Sequence, residues 1–233
     1  MLLSNECFVK NSCQKYLRGD CEQCAFCVKL FKLELLYENS LLSQYKREQI
    51  KLRIDKDGTD REAFTKLGKI SDGIVDFVNS GKNLYLFSQN CGNGKTSWAI
   101  RFVQNYLNNV WHSANIDKEP CRAMFISLPK FFLQLKSSLS SHNDYIDFIK
   151  QHVFDCDLVV WDDVGTKAGT EFEMENFLSI LDSRLSSGKS NIYTSNIVPS
   201  HLKDFVGDRL YSRVINQSMC IELKGKDKRG IKN

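Results

Sequence analysis

The chain has 233 residues, 42% hydrophobic and 26% charged, so it can bury a substantial core as one large domain or one domain with an appendage. A net charge of +4 is too small for a strongly basic footprint, so nucleic-acid binding is permitted but not indicated. No apolar run approaches the roughly 20 residues of a membrane span and the first residues carry no secretory signal, so we expect a cytoplasmic protein without membrane contacts.

Cysteines are concentrated at the start of the chain. Of the nine in the sequence, five fall within the first 27 residues: Cys7, Cys13, Cys21, Cys24 and Cys27. In a reducing cytosol such crowding favours a metal over disulfides. The Cys24-x2-Cys27 pair can supply two thiolates to one tetrahedral zinc ion, which Cys7 and Cys13 would complete. Cys21 is a possible substitute, because Cys21-x2-Cys24 is an equally good pair, and an iron–sulfur cluster or plain reduced thiols remain alternatives.

Three parts of the chain are predicted. Residues 1–30 form a cysteine-rich metal-binding module, because so short a segment cannot build a core without a metal. Residues 31–59 form a helical linker that includes a charge-rich run. Residues 60–233 form the main domain, and Asp60 is expected to cap its first helix.

A strand, a glycine turn and a helix start follow one another from Asn83 to Ala99. Residues 84–87 are a short apolar run typical of a buried parallel strand. Candidate ligand-binding residues fill the turn and the helix start: Asn90, Cys91, Gly92, Asn93, Gly94, Lys95, Thr96 and Ser97. Glycines let backbone N–H groups close around an anion, and a helix N-terminus adds about half a positive charge. We expect a phosphate-binding loop, in which Lys95 reaches the β- and γ-phosphates and Thr96 ligates Mg²⁺.

This loop departs from the pattern GxxxxGK[ST] at one position. Gln89 stands where the first glycine is expected, with Ser88 beside it. A chance GNGKT in a turn is the competing interpretation, but the flanking strand and helix favour a phosphate loop. The missing glycine leaves the loop geometry open more than the identity of the motif.

The second informative stretch is DLVVWDDVG, at residues 157–165. Its apolar run predicts a buried strand that ends in Asp162 and Asp163. Carboxylates at the C-terminal edge of a parallel strand lie where open α/β sheets bind ligands. We expect Asp162 to hold Mg²⁺ and Asp163 to polarise the attacking water. The alternative is a strand that happens to end in an acidic turn.

Alternating strands and helices complete an α/β pattern. Three further strands are predicted at residues 122–128, 191–196 and 219–223. Pro129 suits the first turn of a helix that is expected to continue to Leu139. Thr170 and Glu173 fit a capping box at the start of another helix.

Two polar features follow in the C-terminal half. Asn196 ends a predicted strand, where it could contact a γ-phosphate or the attacking water, although Asn is also a common turn former. Arg209 and Arg213 are four residues apart and therefore share one helix face. Solvated surface is the alternative interpretation of the two arginines.

In chain order, the motifs LYLFSQNCGNGKTSWA, LVVWDDVG, NIYTSN and GDRLYSR resemble those of AAA+ ATPases. More narrowly, they resemble the replicative-helicase loaders of the DnaC/DnaI type, including phage versions, over residues 72–229. The cysteine-rich start followed by VKLFKLELLYENSLL is more loosely similar to the zinc-bearing N-termini of some loaders. The resemblance implies a P-loop AAA+ domain with a parallel sheet flanked by helices, preceded by a small zinc-binding module.

The resemblance also implies roles for the nucleotide-binding residues. The Walker A residues would be Gly92, Gly94, Lys95 and Thr96. Asp162 and Asp163 would form Walker B. Asp163 stands where most AAA+ proteins have Glu, and a shorter acid lies farther from the water, so hydrolysis is expected to be slow.

Three further residues acquire roles from the same resemblance. Asn196 would be sensor 1, and Arg213 would be an arginine finger supplied to a neighbouring subunit. Arg229 falls where loaders carry a sensor 2-like arginine. Little chain follows Leu223, so the helical lid of larger AAA+ proteins is expected to be absent.

A helicase loader is the function that the resemblance implies. Such a protein binds and hydrolyses ATP with Mg²⁺, slowly alone and faster with a partner or DNA, and delivers a replicative hexameric helicase to single-stranded DNA. It would also be a homo-oligomer with shared ATP sites and carry Zn²⁺. An IstB-type transposition-helper ATPase is one alternative. A weakly hydrolysing ATP-binding adaptor is another, which Gln89 and Asp163 would signal.

Overall fold

The computed structural model of the chain describes residues 14–19, 25–43, 47, 52, 54, 58–113, 121–166 and 169–228. Within these ranges the strands are β1 (Asn83–Phe87), β2 (Ala123–Ser127), β3 (Leu158–Asp162), β4 (Ser190–Ser195) and β5 (Ser218–Glu222). The helices with defined bounds are α1 (Gln14–Leu17), α2 (Ala25–Glu38), α3 (Arg61–Asp72), α4 (Ile74–Asn79), α5 (Lys95–Val110), α6 (Leu128–Ser137), α7 (Asp144–His152), α8 (Glu171–Ser186) and α9 (Pro199–Val214). No helix in the described ranges is long and apolar enough to cross a membrane.

All five strands are parallel and lie in the order β2-β3-β4-β1-β5. Parallel neighbours need crossover connections, and the intervening helices provide them. The order places β1 between β4 and β5, with β3 next to β4. The carboxyl ends of β1, β3 and β4 therefore meet at one edge of the sheet. The predicted α/β fold with a parallel sheet flanked by helices is confirmed.

Two hydrophobic cores lie on opposite faces of this sheet. Successive strand residues point to opposite faces, so Leu84 and Leu86 enter one core while Tyr85 between them enters the other. The helices α2, α3, α4 and α5 contribute to the first core, and α6, α7, α8 and α9 to the second. Because both faces are covered, β1, β2, β3 and β4 are almost fully buried, which explains the continuous apolar runs of β1, β2 and β3.

The segment predicted as a linker packs partly against this core. Leu36 of α2 and Leu42 just after it are buried in the first core. The Phe125 backbone N–H of β2 donates a hydrogen bond to the Ser40 carbonyl at 2.8 Å. Since β2 is an edge strand, this contact covers part of an edge that would otherwise be open to pairing. The division of the chain at residues 30 and 60 stays a prediction.

Two local expectations were wrong. Leu139 lies beyond the end of α6 and is 69% exposed, so the apolar residue at helical spacing does not extend the helix. Asp60 precedes α3, but its carboxylate makes no capping hydrogen bond, and its backbone (φ −99°, ψ 12°) is not in the extended conformation typical of helix N-caps. The predicted capping box is confirmed: Thr170 Oγ1 accepts from the Glu173 N–H, and the Thr170 N–H donates to Glu173 Oε2 at 2.7 Å.

A fully buried arginine ties together the ends of three elements opposite to the phosphate-loop edge. Arg184 of α8 is 0% exposed. Its guanidinium donates to the carbonyls of Val153, Cys156 and Ser190 and to Asn191 Oδ1. Burial lowers the pKa of Arg184, because removing a cation from water is costly. The four acceptors offset that cost and join α8 to the ends of α7, β3 and β4.

We predict that Arg184→Leu destabilises the fold by about 3–5 kcal/mol, because it leaves buried carbonyl groups without donors. Urea unfolding measures the loss. Arg101→Leu is the matched control, because Arg101 lies on the exposed side of α5 and its replacement should change the free energy of unfolding by about 0.5 kcal/mol at most. Equal effects of the two substitutions would contradict a structural role for Arg184.

Candidate nucleotide-binding site

The turn after β1 and the first turn of α5 together contain all eight predicted loop residues. Gly92 (φ 69°) and Gly94 (φ 109°) adopt left-handed backbone conformations that other residues rarely take. Gly94 immediately precedes α5, so Lys95, Thr96 and Ser97 form the first turn of that helix. The backbone N–H groups of such a turn have no partners within the helix and favour an anion.

Gln89 does not need to be glycine in this loop. It is not among the described residues with positive φ, so its backbone conformation is open to any residue. Ser88 supports the curve instead. Its buried hydroxyl accepts from the Asn90 N–H at 3.0 Å and from the Asn93 side-chain amide. The departure from the motif is therefore compatible with a closed loop.

Lys95 lies inside this loop and is only 6% exposed. Its ammonium group donates to the Asn90 carbonyl at 3.0 Å and to Asn93 Oδ1 at 3.3 Å. Both acceptors belong to the loop itself, so the cation is held where the loop backbone curves around it. A cation among several backbone N–H groups is suited to binding the phosphates of a nucleotide.

The proposed magnesium ligands lie together. Thr96 Oγ1, at the start of α5, donates to Asp162 Oδ1, at the end of β3, at 3.0 Å. Asp162 is 4% exposed, and the hydroxyl of Thr194 on β4 donates to the same oxygen at 2.7 Å. A carboxylate and a hydroxyl are hard oxygen donors of the kind that Mg²⁺ prefers, so these residues fit the ion.

Asp163 has an unusual backbone. Its φ of 65° lies in the left-handed region, which non-glycine residues rarely adopt. Its N–H donates to Thr194 Oγ1 at 3.0 Å. The residue lines a cleft of about 170 Å³ between α6 and the start of α8, together with Leu128, Pro129, Phe132, Leu133, Lys136, Gly165, Thr170 and Glu173. Asp163 therefore stands at the same edge as Asp162, beside an open cleft.

Asn196 and Arg213 occupy different places. Asn196 follows β4 directly, and Ser195 before it pairs with Phe87 of β1, so Asn196 reaches the edge that carries the phosphate loop. Arg213 lies on α9 and forms a two-pronged ion pair with Asp182 of α8, at 2.7 and 3.4 Å. Among the described contacts, its guanidinium binds Asp182 and the Arg209 carbonyl, and no residue of the phosphate loop.

Several predicted residues lie outside the part of the chain that the structure describes: Cys7, Cys13, Cys21, Cys24 and Arg229. The backbone of Cys27 belongs to α2, but its side chain is outside the description as well. Within the described residues, no group of three or more His, Cys, Asp or Glu could hold a metal ion. The zinc site therefore stays a prediction.

Sequence reasoning missed a chain segment that borders the phosphate loop, residues 223–228. The Asn90 and Asn93 side chains donate to its carbonyls, and its last N–H, from Lys228, donates to the Gly92 carbonyl at 3.0 Å. Asp227 lies so close to Gly92 that a Cβ there would be 1.7 Å from the Asp227 carboxylate. In sequence this segment is only a basic tail.

The anchor of that segment is Asp60. Its carboxylate is 2% exposed and accepts the N–H groups of Lys224 and Gly225 at 2.7 and 2.9 Å. These contacts span about two thirds of the chain, so no local pattern predicts them. They explain why Asp60 is buried without acting as a helix cap.

We predict that Lys95→Ala weakens ATP binding by about 10- to 100-fold, because a hydrogen bond from a charged group is worth about 1.5–3 kcal/mol. Titration with a fluorescent ATP analogue measures the affinity, and circular dichroism checks the fold. Lys69→Ala, at an exposed position of α3, is the matched control and should bind as the parent does. Parental affinity in Lys95→Ala would show that this loop does not bind the phosphates.

Comparison with known proteins identifies the family of the chain. The family of the bacterial DnaA ATPase domain matches residues 62–221, whereas no individual curated protein sequence matches. The structure resembles the DnaC helicase loader (18% identity, 78% of this chain and 100% of that chain, TM-score 0.58). It also resembles DnaI (20% identity, 78% of this chain and 94% of that chain, TM-score 0.58).

A third similar structure is the replication initiator DnaA bound to AMPPCP and single-stranded DNA (19% identity, 81% of this chain and 52% of that chain, TM-score 0.57). At these identities the likeness to solved structures establishes a shared fold. Because the family match spans more than half of the chain, the protein belongs to the bacterial DnaA ATPase domain family of AAA+ ATPases and has the fold of the loaders DnaC and DnaI.

Proposed function

We propose that the protein is an ATP-hydrolysing helicase loader, which acts in the cytoplasm and delivers a replicative ring helicase to single-stranded DNA during DNA replication. One observation carries the proposal. Lys95 in the phosphate loop and the hydrogen-bonded pair Thr96 and Asp162 lie at the carboxyl edge of a parallel sheet, in a chain of the bacterial DnaA ATPase domain family. The family match supports a replication-related ATPase, and the loader role is a more specific proposal.

The structural likeness to DnaC and DnaI supports the loader role. This chain covers all of the DnaC structure and 94% of the DnaI structure, but about half of the DnaA structure. The shared fold is therefore nearly the whole of the two solved loader chains and about half of the solved initiator chain. An IstB-type transposition helper would share the phosphate loop and the acidic strand end. The identity of the partner protein therefore distinguishes the two functions.

In the proposed reaction the chain mainly positions ATP and neutralises its charge. Backbone N–H groups of the loop and the Lys95 ammonium bind the β- and γ-phosphates, and Thr96 and Asp162 would hold Mg²⁺. The ion supplies further neutralisation of the phosphate charge when it is bound. Asp163 orients the attacking water, and Asn196 and Arg229 contact the γ-phosphate region as sensors 1 and 2.

A weakly hydrolysing ATP-binding adaptor is the second candidate. The observation that favours it concerns Asp163, which stands where the acid that activates water is expected. Its side chain is short, and its backbone is in the left-handed conformation. Such a protein would bind ATP and its partners but release phosphate very slowly. We favour a slow ATPase that its helicase or DNA stimulates.

The proposal includes an assembly and a second metal. We propose a homo-oligomer in which Arg213 of one subunit serves the ATP site of its neighbour. We also propose that Cys7, Cys13, Cys24 and Cys27 bind one zinc ion, with Cys21 as a possible substitute, and that this module docks the helicase. Metal analysis of the purified full chain tests the zinc site, and absence of zinc would reject it.

The function is tested by measuring phosphate release with and without single-stranded DNA and the host's replicative helicase. We predict slow release alone, stimulation by DNA or helicase, and transfer of the helicase onto DNA. Lys95→Ala should eliminate both release and transfer. Parental ATP binding without phosphate release under every condition would favour the adaptor, and stimulated hydrolysis without helicase binding would reject the loader.

Arg213 gives a sharper test of the shared site. We predict that Arg213→Ala binds ATP through its own Lys95 but hydrolyses it at least about tenfold more slowly, since arginine fingers are worth about 10³–10⁵ in rate. Mixing Arg213→Ala with Lys95→Ala should restore activity, because a Lys95→Ala subunit can offer its arginine to a neighbour that holds ATP.

Arg209→Ala is the matched control, because Arg209 is exposed one helical turn earlier on α9. It should hydrolyse ATP as the parent does. Normal hydrolysis by Arg213→Ala would reject the shared site and leave its ion pair with Asp182 as a surface contact. Loss of activity without rescue on mixing would indicate a role within one subunit, provided that circular dichroism shows a folded variant.

A further inference from the structure

Thr194 connects the two acidic residues of the candidate site. It lies next to last on β4 and is fully buried. Its hydroxyl donates to Asp162 Oδ1 at 2.7 Å and accepts from the Asp163 N–H at 3.0 Å. Its carbonyl accepts from the Val164 N–H at 2.8 Å. One residue of β4 thus binds three consecutive residues at the end of β3.

The directions of these hydrogen bonds follow from the hydroxyl itself. A threonine hydroxyl has one proton, and the Asp163 N–H can only donate, so the hydroxyl must accept there. Its own proton is then directed to Asp162 Oδ1, which accepts the hydrogen bond. Thr96 donates its proton to the same oxygen, which leaves the lone pairs of its hydroxyl available to a cation.

The backbone of Asp163 needs such support. A non-glycine residue in the left-handed region is strained, so the conformation persists only where its surroundings hold it. Thr194 supplies acceptors to the N–H groups on both sides of the Asp163 α-carbon: its hydroxyl for Asp163 and its carbonyl for Val164. The conformation decides where the Asp163 carboxylate lies relative to Asp162.

We infer that Thr194 is a positioning residue for ATP hydrolysis, which rests on the proposed function. Its hydroxyl orients the Asp162 carboxylate toward Thr96 and holds Asp163 in the backbone conformation that places its carboxylate at the sheet edge. Thr194 acts through these two residues and touches neither phosphate nor water in the reaction. A threonine that merely fills a strand would need no charged partner and no left-handed neighbour.

The test compares Thr194→Val, which keeps the shape but lacks the hydroxyl, with Thr194→Ser, which retains it. Ser190→Ala is the matched control, because it removes another fully buried hydroxyl from the opposite end of β4. Two quantities are measured on the full chain. One is amide hydrogen exchange of the peptide that contains Asp163 and Val164, without nucleotide. The other is the rate of phosphate release as a function of Mg²⁺ concentration.

In Thr194→Val we expect faster exchange of that peptide and a loss of about 10- to 100-fold in kcat or in apparent Mg²⁺ affinity, the usual effect of removing a residue that orients metal ligands. The KM for ATP should change little, because Lys95 and the loop are intact. Thr194→Ser should restore both quantities, and Ser190→Ala should leave both at the parental values.

The positioning role of Thr194 and its effect on ATP hydrolysis can be rejected separately. Parental exchange in Thr194→Val would overturn the positioning role, whatever the catalytic rate. Faster exchange with parental kcat and Mg²⁺ dependence would overturn its link to the reaction. If the parent releases no phosphate with any partner, the proposed ATPase function fails, and exchange in the three variants still decides whether Thr194 holds Asp163.

Discussion

The buried carboxylate of Asp162 is the interaction on which the candidate site depends. A charge that is removed from water must be compensated by hydrogen bonds, and here two hydroxyls from two different elements provide them. One comes from the first turn of α5 and the other from β4. The start of α5, the end of β3 and the end of β4 are therefore connected through a single carboxylate oxygen.

The sheet order makes this arrangement possible. β1, which leads into the loop, pairs with β4, and β4 pairs with β3, so three carboxyl ends lie side by side. The apolar residues of these strands are buried because helices cover both faces, and the site residues lie at or just after the strand ends. In this way the packing of the core determines where the polar residues at the strand ends stand.

The elements that local sequence patterns govern could be predicted. The loop around Lys95, the acidic end of β3 and the capping box at Thr170 all depend on residues that are close in sequence. Leu139 shows the limit of periodicity, since its spacing suits a helix that ends two residues earlier.

The residues that sequence reasoning missed depend on partners far along the chain. Arg184 resembles a solvated helix residue, although it shares a helix face with Phe177 and Leu181, which was the one available signal. Thr194 is an ordinary strand former, and Asp60 an ordinary helix start. Their partners become neighbours only after the sheet has assembled, so no pattern within a window of residues identifies them.

The contact between residues 223–228 and the phosphate loop has a thermodynamic consequence. The loop and this segment share hydrogen bonds at Asn90, Gly92 and Asn93, so their conformational equilibria are linked. Linkage is reciprocal: a molecule that binds the segment and shifts its position changes the affinity of the loop for its own ligand, and that ligand changes the affinity of the segment by the same factor. The affinity of the phosphate loop for its ligand therefore depends on the position of residues 223–228 as well as on the loop itself.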